Sequence, residues 1–300
     1  MFDGIINIYK EKGYTSHDVV ARMRGILKMK KIGHTGTLDP DAEGVLPLCV
    51  GKATKLVDLI TDKDKTYRAV CKLGITTDTQ DITGKVLKTE RVQIEASELE
   101  QVINSYIGEY QQLPPMYSAI KVDGRKLYEL ARQGIEIERE RRRVIIKDIR
   151  LLRYDIAEQE FSVEVECGKG TYIRTLLHDI GETLGCGATM KSLKRTAVGA
   201  FLVEEAFRLS EIEALVKADK LQPYIVTIDE VFSHYPKLVV LSEFNRLIYN
   251  GNIFTQEHVK EPLQETKTDL IRVYDSEGHF IGLYSYLSEA KLYKPIKMFL

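Results

Sequence analysis

Residues 31–55 read KIGHTGTLDPDAEGVLPLCVGKATK, and two readings compete for them. Gly44, Gly51 and Lys52 suggest the end of a phosphate-binding loop. Asp39, set among Gly, Thr and Pro, suggests a carboxylate held in place for chemistry. A phosphate loop of the form G-x-x-x-x-G-K-[ST] lets backbone N–H groups wrap the phosphates, and its hydroxyl reaches magnesium. Here six residues separate Gly44 from Gly51, and Ala53 follows Lys52. Gly168-Lys169-Gly170-Thr171 also fails, with glycine between lysine and threonine. Spacing therefore argues against nucleotide-phosphate binding. Pro40 biases Asp39 towards extended backbone, and Gly36 and Gly44 permit turns that a β-branched residue resists. An Asx-turn or helix cap is the commoner job for such an aspartate, so the loop alone leaves both roles open.

Outward from this loop, Ile5–Tyr9 alternates like a short strand. Thr15 or Ser16 is placed to cap a helix carrying Val19, Val20, Met23, Ile26 and Leu27 at helical spacing. Thr66–Gly74 reads as a strand. Ser97 with Glu100 makes a capping box before Leu99, Val102, Ile103, Tyr106 and Ile107, a helix face ended by Gly108. Gln111–Tyr117 reads as a rigid proline loop, and Arg125–Arg132 as a short helix. Phe161–Cys167 alternates as a half-buried strand, and Gly168–Gly170 turns into a helix with Ile173, Leu176, Leu177, Ile180 and Leu184 on one face. Ser210 is placed to cap a further helix through Glu213. After Ser233–Pro236 come a helix over Ser242–Asn250 and β-like runs at Leu270–Tyr274, His279–Leu287 and Tyr293–Leu300. Strands and helices without strict βαβ alternation predict an α+β fold around a mixed, mostly antiparallel sheet with flanking helices, followed by a compact β-rich module.

The 300 residues carry 43 Lys and Arg against 44 Asp and Glu, so the net charge does not advertise a polyanion partner. Its distribution does. Arg22, Arg24, Lys28, Lys30 and Lys31 form one run without an acid, and Arg139–Arg153 carries seven basic residues against Glu140 and Asp148; Phe201–Val231 is acidic. Basic faces on a neutral whole fit a polyanion. Cysteines 49, 71, 167 and 186 form no CxxC, and the histidines form no HxH or HExxH pair, so a structural zinc is not expected. No apolar run reaches membrane length, and a cytoplasmic chain with reduced thiols is expected.

The stretch GHTGTLDPDAEGVLPLCVGKATK resembles the active-site signature of the TruB family of tRNA pseudouridine-55 synthases. KEKGYTSHDVV (10–20), Lys65-Thr66-Tyr67 with LGITTDTQDITG, PPMYSAIKVDGRKLYELAR (114–132), GKGTYIRTLLHDIGETLGCGA (168–188) and SLKRTAVGAF (192–201) resemble its further motifs, in register over most of residues 1–201. The resemblance implies a catalytic domain at 1–232 with an insert around 108–143. It also implies a PUA-like RNA-binding domain at 236–300.

It further implies the chemistry: uracil N1 leaves ribose C1′, the base turns, and C5 takes its place. Such an isomerisation needs one nucleophilic carboxylate and no cofactor. The matching residue is Asp39, which an ordinary carboxyl pKa of ~3.9 leaves ionised at neutral pH. Arg174 matches the arginine that pairs with it; by dipole logic alone the first turn of a helix is a poor place for a cation. Tyr67 matches the tyrosine that stacks on uracil and assists proton removal. Tyr172 and Leu193 match the pocket lining, and His34 the residue set against the T-loop.

The target uridine has to be flipped out, at a cost of a few kcal/mol, which aromatic stacking offsets by about 1–3 kcal/mol per base. Expected phosphate contacts are Arg22, Arg24, Lys28, Lys30, Lys31, Arg141, Arg142, Arg143, Lys191, Lys194 and Arg195, and the expected partner is the tRNA T-arm, bound by a monomer. Two alternatives stay open: a guide-RNA-dependent synthase subunit, and an RNA chaperone that folds tRNA without essential chemistry.

Overall fold

The computed structural model describes residues 2–122, 124–262 and 270–300; Asp123 of the proline-led motif lies outside them. The chain begins with strand β1 (Gly4–Lys10), whose side chains are nearly all buried. Helix α1 (Ser16–Leu27) follows, capped by Thr15 in a capping box with Asp18. Then come β2 (Ile32–His34), β3 (Glu43–Val50), α2 (Val57–Thr61) and β4 (Lys65–Leu73). A small hairpin joins β5 (Ile75–Thr77) to β6 (Val86–Thr89). It leads through α3 (Ala96–Asn104) to β7 (Gly108–Gln112). After β7 come the minimal hairpin β8 (Lys121–Val122) and β9 (Arg125–Lys126), then α4 (Leu127–Arg132).

Two long strands, β10 (Arg142–Asp155) and β11 (Glu160–Cys167), precede α5 (Ile173–Thr183). The N-terminal part of the chain closes with β12 (Ala188–Val198), β13 (Phe201–Leu202), α6 (Leu209–Lys217) and α7 (Ile228–Val231). The main sheet runs β1-β3-β12-β4-β11-β10-β7. Every pairing along it is antiparallel except β12 with β3. The apolar face of α5 packs with α3 over β4, β11 and β10, while α1 and α6 cover β1 and β3.

Two helix caps differ from the sequence reading. The box of Ser97 with Glu100 does not form: α3 begins at Ala96 with Glu95 as its cap residue. Burial of Leu99 and Ile103 sets that register, and Ile107 lies beyond the helix, 47% exposed. Ser210 likewise sits inside α6, and the backbone N–H of Arg208 donates to Glu211 at 2.6 Å instead. The expected helix at Ser242–Asn250 opens as a 3₁₀ turn, Ser242–Phe244, before α8 (Asn245–Tyr249). Gln111 and Gln112, read as loop, end β7 because they pair with Arg143 and Arg142 of β10.

The C-terminal strands β14 (Lys237–Val239), β15 (Phe254–Thr255), β16 (Leu270–Tyr274), β17 (Phe280–Leu287) and β18 (Leu292–Met298) form a separate five-stranded sheet. It has its own core, including Val240, Phe254, Val273, Tyr284 and Tyr293. Leu283 and Phe299 pack with Ile228 and Phe232 against Val45 and Cys49 of β3. Arg272 clips the connecting segment through Ser233 O, Tyr235 O and the Asp229 carboxylate.

Candidate active site

Three buried groups reach into the loop around Asp39 and hold its backbone. Lys10, fully buried at the end of β1, donates from Nζ to Ala42 O at 2.6 Å, Pro40 O at 3.1 Å and Glu11 O at 3.3 Å. Burial pushes its pKa down to about 8, against the pull of Asp39 and Asp41. Ser16 Oγ accepts from the Leu38 N–H at 2.9 Å. Arg195 donates from Nε to Val45 O at 2.7 Å and from Nη2 to Gly36 O at 3.3 Å. Gly44 is required by close approach: a Cβ there would lie 2.1 Å from Arg195 O, and φ is +110°. The backbone is tied down, and the Asp39 side chain keeps 41% of its exposure.

Arg174, in the first turn of α5, meets this carboxylate. Its side chain is 4% exposed, and Nε lies 2.9 Å from Asp39 Oδ2. Nη1 donates to Thr79 O and Nη2 to Tyr117 O, both at 2.9 Å. One guanidinium thus joins the Asp39 loop, the TDTQD segment and the proline-led insert. A cation at that depth is tolerated because it is paired and its fork is satisfied.

Asp81 was not singled out in the sequence, although it lies in the TDTQD motif. Its Oδ2 is 3.7 Å from Arg174 Nη1, and its Oδ1 accepts from Thr79 and Thr83. Gln112 was also missed. Buried at the end of β7, its amide accepts from Tyr172 N at 2.8 Å and donates to Tyr172 O at 2.9 Å. That clamp fixes the residue preceding α5, and nothing local in QQLPP announces it.

Tyr67 on β4 and Leu193 on β12 are each 8% exposed and belong with Leu38 to one apolar cluster. Burial raises the pKa of Tyr67, so the phenol stays neutral. Tyr172 precedes α5, and burial raises its phenol too. His34 ends β2, half-buried, with its ring 5.3 Å from that of His17 in an edge-on contact. Its Nδ1 is buried without a hydrogen-bond partner. Burial, then the neighbouring His17 and Arg195, lowers its pKa, favouring the neutral ring.

The expected phosphate contacts divide. Arg22, Arg24, Lys28, Lys30, Lys31, Arg141 and Arg142 are exposed. Arg143 pairs with Glu109, and Lys191 with Glu160 at 2.6 Å. Lys194 is half-buried, its Nζ 5.3 Å from the centre of the Tyr9 ring. Arg195 does not belong with them: it is 1% exposed, and its guanidinium is spent on backbone carbonyls.

The Gly51–Lys52 turn, the phosphate-loop lookalike, is already filled. The Lys52 N–H donates to Asp3 Oδ1 at 2.6 Å, and a Cβ at Gly51 would meet that oxygen at 2.0 Å. All four cysteines are buried and free. No helix among the described residues is long and apolar enough to cross a membrane.

A model of TruB family pseudouridylate synthase (N terminal domain) matches residues 24–173, and one of the tRNA pseudouridylate synthase B C-terminal domain matches 174–233. Residues 24–233 are therefore of the pseudouridylate synthase class. A "tRNA pseudouridine synthase B" of Lachnoclostridium phytofermentans is 53% identical, over 99% of this chain and 100% of the relative. One of Bacillus subtilis is 42% identical over 99% and 98%. The chain belongs to the TruB family. A crystal structure of a Cbf5-Nop10-Gar1 complex superposes with a TM-score of 0.74 at 26% identity, covering 99% of this chain and 85% of the other.

Proposed function

We propose that the chain isomerises the T-loop uridine at position 55 of tRNA to pseudouridine, with Asp39 as nucleophile on a flipped-out base. The carrying observation is the Asp39–Arg174 pair: an open carboxylate on a clamped loop, aimed by a buried guanidinium. The reaction breaks N1–C1′, forms C5–C1′, loses the C5 proton and places one on N1, so no atom enters or leaves. A fixed carboxylate can supply the covalent hold on ribose or base while the base turns. Arg174 holds one of its oxygens so that the other faces substrate.

In this reading Tyr67 stacks on the uracil and assists proton removal, Leu193 and Tyr172 line its pocket, and His34 lies against the T-loop. RNA of this shape is read through backbone and splayed bases. The exposed cations of α1 and of 141–142 suit phosphates. Lys191 and Arg143 suit them as well, since surface ion pairs contribute only about 0–1 kcal/mol and exchange readily. Residues 1–232 act as the catalytic domain with its insert at 108–143, residues 236–300 serve as a PUA-like RNA-binding domain, and the enzyme works as a cytoplasmic monomer.

The relatives named for tRNA, at 42–53% identity, favour a stand-alone enzyme over a guide-dependent subunit. The test is direct. The purified chain, given a tRNA transcript and no guide RNA, is expected to form pseudouridine at the T-loop uridine. Product appearing only after guide RNA and partner proteins are added would overturn the stand-alone reading.

A further inference from the structure

In strand β12 consecutive side chains point to opposite faces, so Leu193 and Arg195 share one face and Lys194 takes the other. The burial agrees: Leu193 is 8% and Arg195 1% exposed, while Lys194 is half-buried against Tyr9. Across the antiparallel pairing with β4, Arg195 stands directly opposite Tyr67, and Leu193 opposite Ala69. Directly opposed residues lie on the same face with Cβ atoms about 5 Å apart. Arg195 is therefore the side-chain neighbour of the site tyrosine. Its other contacts are Gly36 O and Val45 O, which flank the Asp39 loop on either side. Among the described residues, no carboxylate lies within ion-pair distance of it. A guanidinium at this depth without a counter-ion is costly unless its charge has a use.

We propose that Arg195 is a positioning residue for catalysis: it locks Tyr67 to both ends of the Asp39 loop and places uncompensated positive charge behind the uracil pocket. The inference rests on the isomerase reading and deepens it. When N1–C1′ breaks, the bonding electron pair stays with the base, and the uracil carries negative charge until C5 re-bonds to C1′. The C5 proton then leaves and N1 gains one, while Arg195 keeps all of its protons. A buried cation close to that charge stabilises the separated base without reorganising. Burial raises the Tyr67 phenol, and the charge of Arg195 opposes that rise, so the two side chains are electrically coupled.

The test is a double-mutant cycle of Arg195→Met with Tyr67→Phe, reading the single-turnover rate at saturating tRNA and, separately, tRNA affinity. Arg195→Met is expected to slow turnover by about 100-fold with affinity within about threefold. Its effect is expected to shrink to about tenfold or less once Tyr67 is Phe, because coupled residues are non-additive. Additive effects, or unchanged saturating turnover with weaker binding and a salt slope reduced by about one, would overturn the inference and return Arg195 to a structural or phosphate-binding role. If Arg195→Met does not fold, the same cycle with Arg195→Lys decides, since lysine keeps the charge and loses the fork. Wild-type turnover is measured in parallel: its absence sinks the isomerase reading, whereas its presence beside additive effects sinks only the role of Arg195.

Discussion

The Asp39 loop and the Gly51–Lys52 turn are both glycine-marked, polar and joined by the single strand β3, yet they end as opposites. In the turn, the backbone N–H that would greet a phosphate already donates to Asp3, and the motif is closed from within. In the loop, the backbone is held from beneath by Lys10, Ser16 and Arg195, while the Asp39 carboxylate keeps its access to solvent. Glycines permit both turns; what separates an open site from a closed one is where the hydrogen bonds go.

Predictions that test this contrast run from large to small. Arg174→Met removes the group that aims Asp39 and frees Thr79 O and Tyr117 O. Turnover should fall by at least about 100-fold, measured as single-turnover product; a loss under tenfold would mean that Asp39 does not depend on its partner. Gly44→Ala drives a Cβ into Arg195 O at positive φ and should cost about 1–3 kcal/mol in denaturant unfolding. Unchanged stability would show that the loop yields where the geometry calls it rigid.

Lys10 gives the pH dependence, with stability and activity moving in opposite directions. Its folded pKa is depressed to about 8 from an ordinary ~10.4. Between these values the unfolded chain binds the extra proton, so the Lys10 contribution to stability is full above the upper value and is lost as pH falls through about 8. Activity should instead fall as pH rises through about 8. A neutral amine has two N–H donors for three carbonyls, and the loop loosens. Lys10→Arg, which stays charged, should flatten that alkaline limb; an identical limb in the variant would assign it to another group. The smallest effect belongs to the closed turn: Asp3→Ala should cost about 1 kcal/mol, as loss of a capping carboxylate does, with turnover unchanged. A large drop in turnover would erase the distinction between the two stretches.

Much of the fold was legible because its signals are local. The alternation of Phe161–Cys167, the stripe of α5 and the Thr15 cap each follow from neighbouring residues. The misplaced caps at Ser97 and Ser210 show where local chemistry yields to packing: Leu99 with Ile103, and Leu209 with Ile212, set the helix registers. The meeting of Asp39 with Arg174 was supplied by family resemblance, since no periodicity brings together residues so far apart in the chain. Lys191–Arg195 was read as one basic face. The pairing of β12 with β4 is regular from Ser192 to Arg195, between irregularities at Met190/Ser192 and Arg195/Ala197, so strand alternation sends Lys194 and Arg195 to opposite faces. Gln112 gave no signal, because its role depends wholly on a backbone sixty positions away.

The central claim is that Asp39 performs the chemistry, and Asp39→Asn tests it most directly. Asparagine keeps the shape and one hydrogen-bond acceptor for Arg174 but removes the nucleophilic charge. Single-turnover pseudouridine formation on saturating tRNA should fall by at least about 1,000-fold, with tRNA affinity within a few-fold of wild type. Turnover within about tenfold of wild type, at unchanged affinity, would contradict the account.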